Sequence, residues 1–184
     1  LVKVDLNGNK VLDSPHPVNP AGFVIHSAVH EVRHDAACVL HVHTKAGIAV
    51  SAQAEGLLPI SQTSLFPYAS LAYHDYEGVA LNDEEKPRLV ADLGDSHAMI
   101  LRNHGLLTTG ATIPDAFLMM YLLETACQIQ IMAQSAGGDL IRIKQPIIDG
   151  IQAQAEKVTK GLGGALIWPG LLRKLDRRDS SFRD

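Results

Sequence analysis

From Thr112 to Gly138 the chain reads TIPDAFLMMYLLETACQIQIMAQSAGG, and no other segment restricts its fold as strongly. Thr112 is placed to cap a helix, and Pro114 falls in the first turn, where its missing N–H is not needed. Gly137 and Gly138 stop the helix near Ala136. Between Phe117 and Leu123 the sequence is apolar nearly all round, which predicts burial on two sides. A chain of 184 residues, 46% of them hydrophobic, can supply those layers within one domain but is short for two.

The remaining segments read as a mixture of short strands and helices without a clean βαβ repeat. Leu1–Leu6 alternates, Asn7-Gly8-Asn9 turns, and Lys10–Leu12 returns, the pattern of a β-hairpin. The chain opens inside that first strand, so a preceding N-terminal segment is expected to be missing. Pro15, Pro17 and Pro20 delay regular structure until about Ala21, and Phe23–Arg33 then has helical spacing. Strands are predicted at Cys38–His43 and Ala98–Leu101, with further extended pieces at LLPIS, Ala72–Tyr76, Val79–Leu81 and Leu106–Thr109. Thr44 caps a short helix to about Gln53, and Asn82 caps an acidic-first helix that ends at Gly94. Pro67 leaves Gln62–Leu71 ambiguous. Another helix follows Pro146. The domain is expected to occupy residues 1–172, with a charged tail, RKLDRRDSSFRD, over 173–184 that is mobile unless it docks on a partner. Together these make one α/β domain on a mixed sheet.

Charge and composition exclude several roles. A net charge of −4 with both signs interspersed offers no nucleic-acid surface. No apolar run is read as reaching the roughly 20 residues of a membrane span, and no signal peptide is seen, so a cytoplasmic location is the default. Cys38 and Cys127, both in apolar surroundings, are expected to be buried free thiols.

The chemistry is concentrated in VLHVHT. On a strand, His41 and His43 share one face while Leu40 and Val42 share the other. Same-face neighbours lie about 6.6–6.8 Å apart at Cα, close enough for two imidazoles to converge on one ion about 2.0–2.1 Å from each nitrogen. His104, in the turn RNHG just past another apolar strand, is the candidate third ligand. Three neutral imidazoles suit zinc, or another divalent first-row metal, and leave a coordination position open, as catalytic sites do. The competing reading is a pair of core histidines hydrogen-bonded to backbone. No organic cofactor is called for.

In order along the chain, VLHVHTKAGIAVSA, GLLPIS, AYHDYEG and MILRNHGLLTTG resemble the class II aldolase/adducin domain family, most closely its adducin-like branch. The likeness runs from NPAGFVIHSAVH to QSAGG. It implies an α/β/α sandwich around a mainly antiparallel central sheet, usually assembled as a homotetramer with sites where subunits meet. It implies His41, His43 and His104 as metal ligands. It also implies lyase chemistry on a small hydroxy-carbonyl or sugar-derived substrate, with the metal stabilising an enediolate.

Two departures weaken the likeness to the aldolases. Their general acid/base Glu, four residues before the position of His26, is Gly22 here, and losing such a group commonly costs about 10²–10⁴-fold in rate. Their phosphate-binding loop has no counterpart in this sequence. Candidate replacements are His26, and Tyr73 or Asp75 within Tyr73–Tyr76; Glu124 is a candidate for orienting a metal-bound histidine. His30 and His34 read as helix-surface residues, His16 and His97 as loop residues. The function expected is a zinc-dependent aldehyde-lyase. The alternatives are a non-catalytic adducin-like metal-binding scaffold and a metal-dependent epimerase or dehydratase. An actin or spectrin role is not expected, because nothing here resembles the long basic tail of the animal adducins.

Overall fold

Alternation along four short strands decides which side chains serve which face. The computed structural model describes residues 1–183. In it β1 (Cys38–Val42), β2 (Leu71–His74), β3 (Ala98–Leu101) and β4 (Gly105–Gly110) form one sheet in the order β1-β4-β3-β2. β4 is antiparallel to both β1 and β3, while β2 runs parallel to β3, so the sheet is mixed and mainly antiparallel. Val39, Met99, Leu101 and Leu107 pack on one face against α1 (Pro20–Val32) and α4 (Lys86–Leu93). Leu40, Val42, Ile100 and Leu106 pack on the other against α2 (Lys45–Ser51) and α5 (Ile113–Ser135). The result is the α/β/α sandwich implied by the resemblance.

The helices begin where their caps place them. Asn19 accepts from the Ala21 N–H ahead of Pro20, Thr44 from Gly47, and Thr112 from Asp115. α3 (Gln62–Tyr68) forms despite Pro67, because a Ser61–Ser64 capping box fixes its start and the proline sits in its last turn. α5 buries one stripe, Ala116, Met120, Leu123, Ala126, Cys127 and Gln130. Burial on its second side is incomplete. Phe117 meets Trp168 edge-to-face at 5.7 Å, but Tyr121 and Met132 are exposed. By length and composition α5 would also suffice to cross a bilayer, which corrects the reading that no run is long enough; here it is the central core helix.

Other expectations are modified. The N-terminal hairpin reduces to one bridge, Val4 to Lys10, around a turn in which the Asp5 carboxylate accepts from the Asn7 and Asn9 amides. LLPIS and Val79–Leu81 join no strand. The acidic segment is a 3-10 turn, Asp83–Glu85, leading into α4, and Gly94 ends that helix at φ +49°. Beyond α5 come α6 (Gln145–Asp149), α7 (Ile151–Thr159) and α8 (Trp168–Arg178). α8 runs without a break through residue 172, and the Arg183 guanidinium pairs with Asp176 at 2.7 Å, so the charged segment is helical as far as Arg178.

Candidate functional site

Strand register brings the histidines together. β1 faces β4 with His41 opposite Leu107 and Val42 opposite Leu106, so His43 follows on toward Gly105 and His104. His104 ends the Arg102–His104 turn joining β3 to β4, and its amide donates to the Leu101 carbonyl at 3.1 Å. Asn103 takes φ +56°, a left-handed value that asparagine tolerates better than most residues. Bonds to other segments fix this turn. The Arg102 amide donates to His74 O at 2.8 Å, the Asn103 amide to Ser51 O at 3.2 Å, and the Arg102 guanidinium to Gln53 O at 3.0 Å. Gly105 is required by close approach, since a Cβ there would lie 2.4 Å from the Val42 carbonyl oxygen and 3.2 Å from the His43 ring.

The three rings lie with centroids 4.6, 4.7 and 4.8 Å apart. One ring nitrogen from each falls within 4.8 Å of the others, and the Nε2 atoms of His41 and His43 are 2.7 Å apart. Ligand atoms on a tetrahedral zinc are separated by about 3.3 Å, inside that range. The Leu106 carbonyl, an acceptor only, lies 2.9 Å from His41 Nδ1, so that nitrogen donates and Nε2 keeps its lone pair toward the cluster. The donor set therefore fits a divalent ion with one or more positions left open.

The histidines open into a cleft of about 260 Å³ whose walls include Gly22 and Ile25 of α1 and Tyr76, Val79 and Ala80 of the segment after β2. No carboxylate is among the described residues lining it. Tyr76 places its ring 6.2 Å from that of His104. A larger cavity of about 670 Å³, lined by Met119 and Leu122 of α5 and Ala155 of α7, lies at the opposite end of the sheet, beside Thr109 and His97.

Burial sets the electrostatics. Loss of solvent lowers the His41 imidazolium from its ordinary 6.5 to about 4, with the neighbouring histidines adding to the effect and the Leu106 contact opposing it. His26 and His104 are lowered for the same first reason. The folded chain keeps these rings neutral where the unfolded chain takes up protons. Their contribution to stability is thus undiminished above about pH 6.5 and is lost as pH falls toward the folded value. Metal-free protein should show a falling urea midpoint between about pH 7 and pH 5, with a shallower slope in His41→Gln. Equal slopes would reject the assignment.

The other candidates separate clearly. His26, half-buried on α1, lies beside the cleft without lining it, near enough to His41 for its charge to be felt there. Tyr73 is on the wrong face. Its hydroxyl accepts from the Leu57 amide at 3.0 Å on the α5 side, and the Arg102 guanidinium stacks on its ring at 4.5 Å. The Asp75 side chain is 95% exposed and lies outside the cleft. Glu124 receives the Thr44 hydroxyl instead of a histidine, so any influence it has on His43 passes through the chain. Of Tyr73–Tyr76, the residue that reaches the cleft is Tyr76. Tyr76 lies two residues beyond β2, which ends at His74 on the side of the sheet opposite to Tyr73. Cys127 is buried, its thiol pushed up to about 12 by desolvation and then by Glu124, whereas Cys38 is only partly buried.

Residues 1–131 match the family described as Class II Aldolase and Adducin N-terminal domain. A Pseudomonas aeruginosa protein with the provisional name aldolase class 2 protein is 60% identical over 186 residues, spanning 100% of this chain and 72% of its own. Mouse alpha-adducin is 44% identical over 152 residues, covering 79% of this chain but 20% of the adducin. Among solved structures, an aldolase II superfamily protein from Pseudomonas syringae superposes with a TM-score of 0.90 at 49% identity, over 100% of this chain and 73% of that one. L-fuculose 1-phosphate aldolase from Glaciozyma antarctica does so at 0.70 and 32% identity, over 88% and 60%.

Proposed function

The chain belongs to the class II aldolase and adducin family, and we propose that within it this protein is a metal-dependent lyase, with zinc as the ion, that cleaves a carbon–carbon bond in a small hydroxy-carbonyl substrate. The carrying observation is the convergence of three imidazoles, one fixed in its tautomer by a backbone carbonyl, at the foot of an open cleft. His41, His43 and His104 would hold the ion. When bound, it supplies Lewis-acid stabilisation of the charge that develops on substrate oxygens, a contribution of several kcal/mol. Tyr76 offers a hydroxyl for proton transfer at the cleft wall. The protein is read as a cytoplasmic homotetramer, whose neighbouring subunits could add further groups at the mouth.

Gly22 favours a second reading, a metal-binding scaffold in the manner of the adducin branch. The nearest atoms to a Cβ at Gly22 belong to Asn19, at 3.8 Å, so the missing acid/base carboxylate is not excluded by lack of space.

One assay separates the two readings. Zinc-loaded and chelator-treated protein are given L-fuculose 1-phosphate and unphosphorylated ketoses, and aldehyde release is followed. The lyase reading expects turnover that chelation abolishes and zinc restores, increased at least about tenfold in Gly22→Glu. Chelator-insensitive turnover rejects the metal role. Stoichiometric zinc without turnover in either protein selects the scaffold.

A further inference from the structure

His74, the last residue of β2, is 3% exposed, and both of its ring nitrogens meet carboxylates. Nδ1 lies 2.7 Å from Asp92 Oδ2 on α4, and Nε2 lies 3.3 Å from Glu85 Oε1 in the 3-10 turn, itself buried. An ionised carboxylate only accepts, and a neutral imidazole has one N–H. Both contacts are hydrogen bonds only when the trio carries one proton more than a neutral ring and two carboxylates.

The chain between the partners His74 and Glu85 is the outer wall of the histidine cleft, where it supplies Tyr76, Gly78, Val79 and Ala80. That loop has little core of its own. Ala80 is buried, but Tyr76 is 53% and Val79 68% exposed, and Gly78 takes φ +109°. Glu77 is held by Arg88 at 2.5 and 2.7 Å, in a more solvated setting where such a pair contributes little. The buried fastening is at the ends of the loop. The His74 backbone also accepts the amide of Arg102, in the turn that presents His104.

We infer that His74 is a positioning residue whose bridge to Glu85 closes residues 75–84 into a strap, fixing the Tyr76 wall of the cleft opposite the histidines. Its consequence for ligand binding rests on the reading of that cleft as a metal and substrate site; the strap itself does not.

Two amide replacements separate the bridge from general packing. Gln places its NH2 where Nε2 stood and keeps the Glu85 contact, whereas Asn replaces only Nδ1 and keeps the Asp92 contact. In His74→Asn, amide hydrogen exchange over 75–82 should accelerate at least about tenfold while β1 and β4 are unchanged; in His74→Gln the increase should stay below about threefold. Co2+ titration should agree within about twofold across all three proteins, and acetohydroxamate, a bidentate chelator, should bind the cobalt-loaded Asn variant at least about fivefold more weakly. Should His74→Asn fail to fold, Glu85→Ala is expected to give the same local acceleration. Unchanged exchange over 75–82, or equal acceleration across the sheet in both variants, overturns the strap. A loosened loop with unchanged acetohydroxamate affinity overturns its role in the cleft. If the wild type binds no cobalt, the metal reading fails, and the exchange data still decide the strap.

Discussion

Replacing His104 with alanine is expected to lower affinity for Zn2+ or Co2+ at least a hundredfold while leaving the fold intact. Removing a group that merely orients a ligand commonly costs about 10–100-fold in metal affinity, and loss of one of only three ligands should exceed that. Stability should change little, because the His104 ring is half-buried and takes no hydrogen bond among the described residues; the turn is held through its backbone and by Arg102. His41→Ala is the sharper loss, since it also removes the side-chain N–H that meets the Leu106 carbonyl. Elemental analysis and metal titration of the folded variants provide the check. Full metal content in either would show that the cluster is not the binding site.

Gly105→Ala is the second large effect, and it acts on stability and site together. The added methyl would lie 2.4 Å from a backbone oxygen of β1, which no rotamer change can relieve. Either β1 moves away from β4 or the β3–β4 turn deforms, at a cost of about 2–4 kcal/mol. Both responses displace His41 and His43 relative to His104, so metal affinity should fall as well. Gly138→Ala is the control. Nothing lies within 4 Å of the new methyl, and the change should stay within about 0.5 kcal/mol. Denaturant midpoints measured side by side would decide; equal midpoints would mean that the close approach at Gly105 has been relieved.

Much of this arrangement can be read directly from residue types. The helix starts at Thr44 and Thr112 follow from side-chain oxygens that satisfy free amides, and period-two alternation alone puts His41 opposite in sense to Leu40. Pairing order is another matter. β4 sits between β1 and β3, and β2 reaches the far edge of the sheet, an outcome of tertiary packing that no local pattern encodes. That gap explains Tyr73. Without knowing how β2 registers against β3, the sequence segment Tyr73–Tyr76 offers four polar groups and no means of choosing the face. The Asn and Gly flanking His104 are an intermediate case, visible as turn formers, while the contact that makes Gly105 obligatory lies with a strand more than sixty residues away.

In the order β1-β4-β3-β2, the strand that carries His41 and leads into His43 has a ladder partner on only one flank among the described residues. Its outward N–H and C=O groups form a template on which a further strand can be laid. Whatever is laid there, from a longer chain or a neighbour, would stiffen or tilt β1 and so reset the bite of the two imidazoles. Ion affinity should therefore depend on what borders that edge as well as on the three rings.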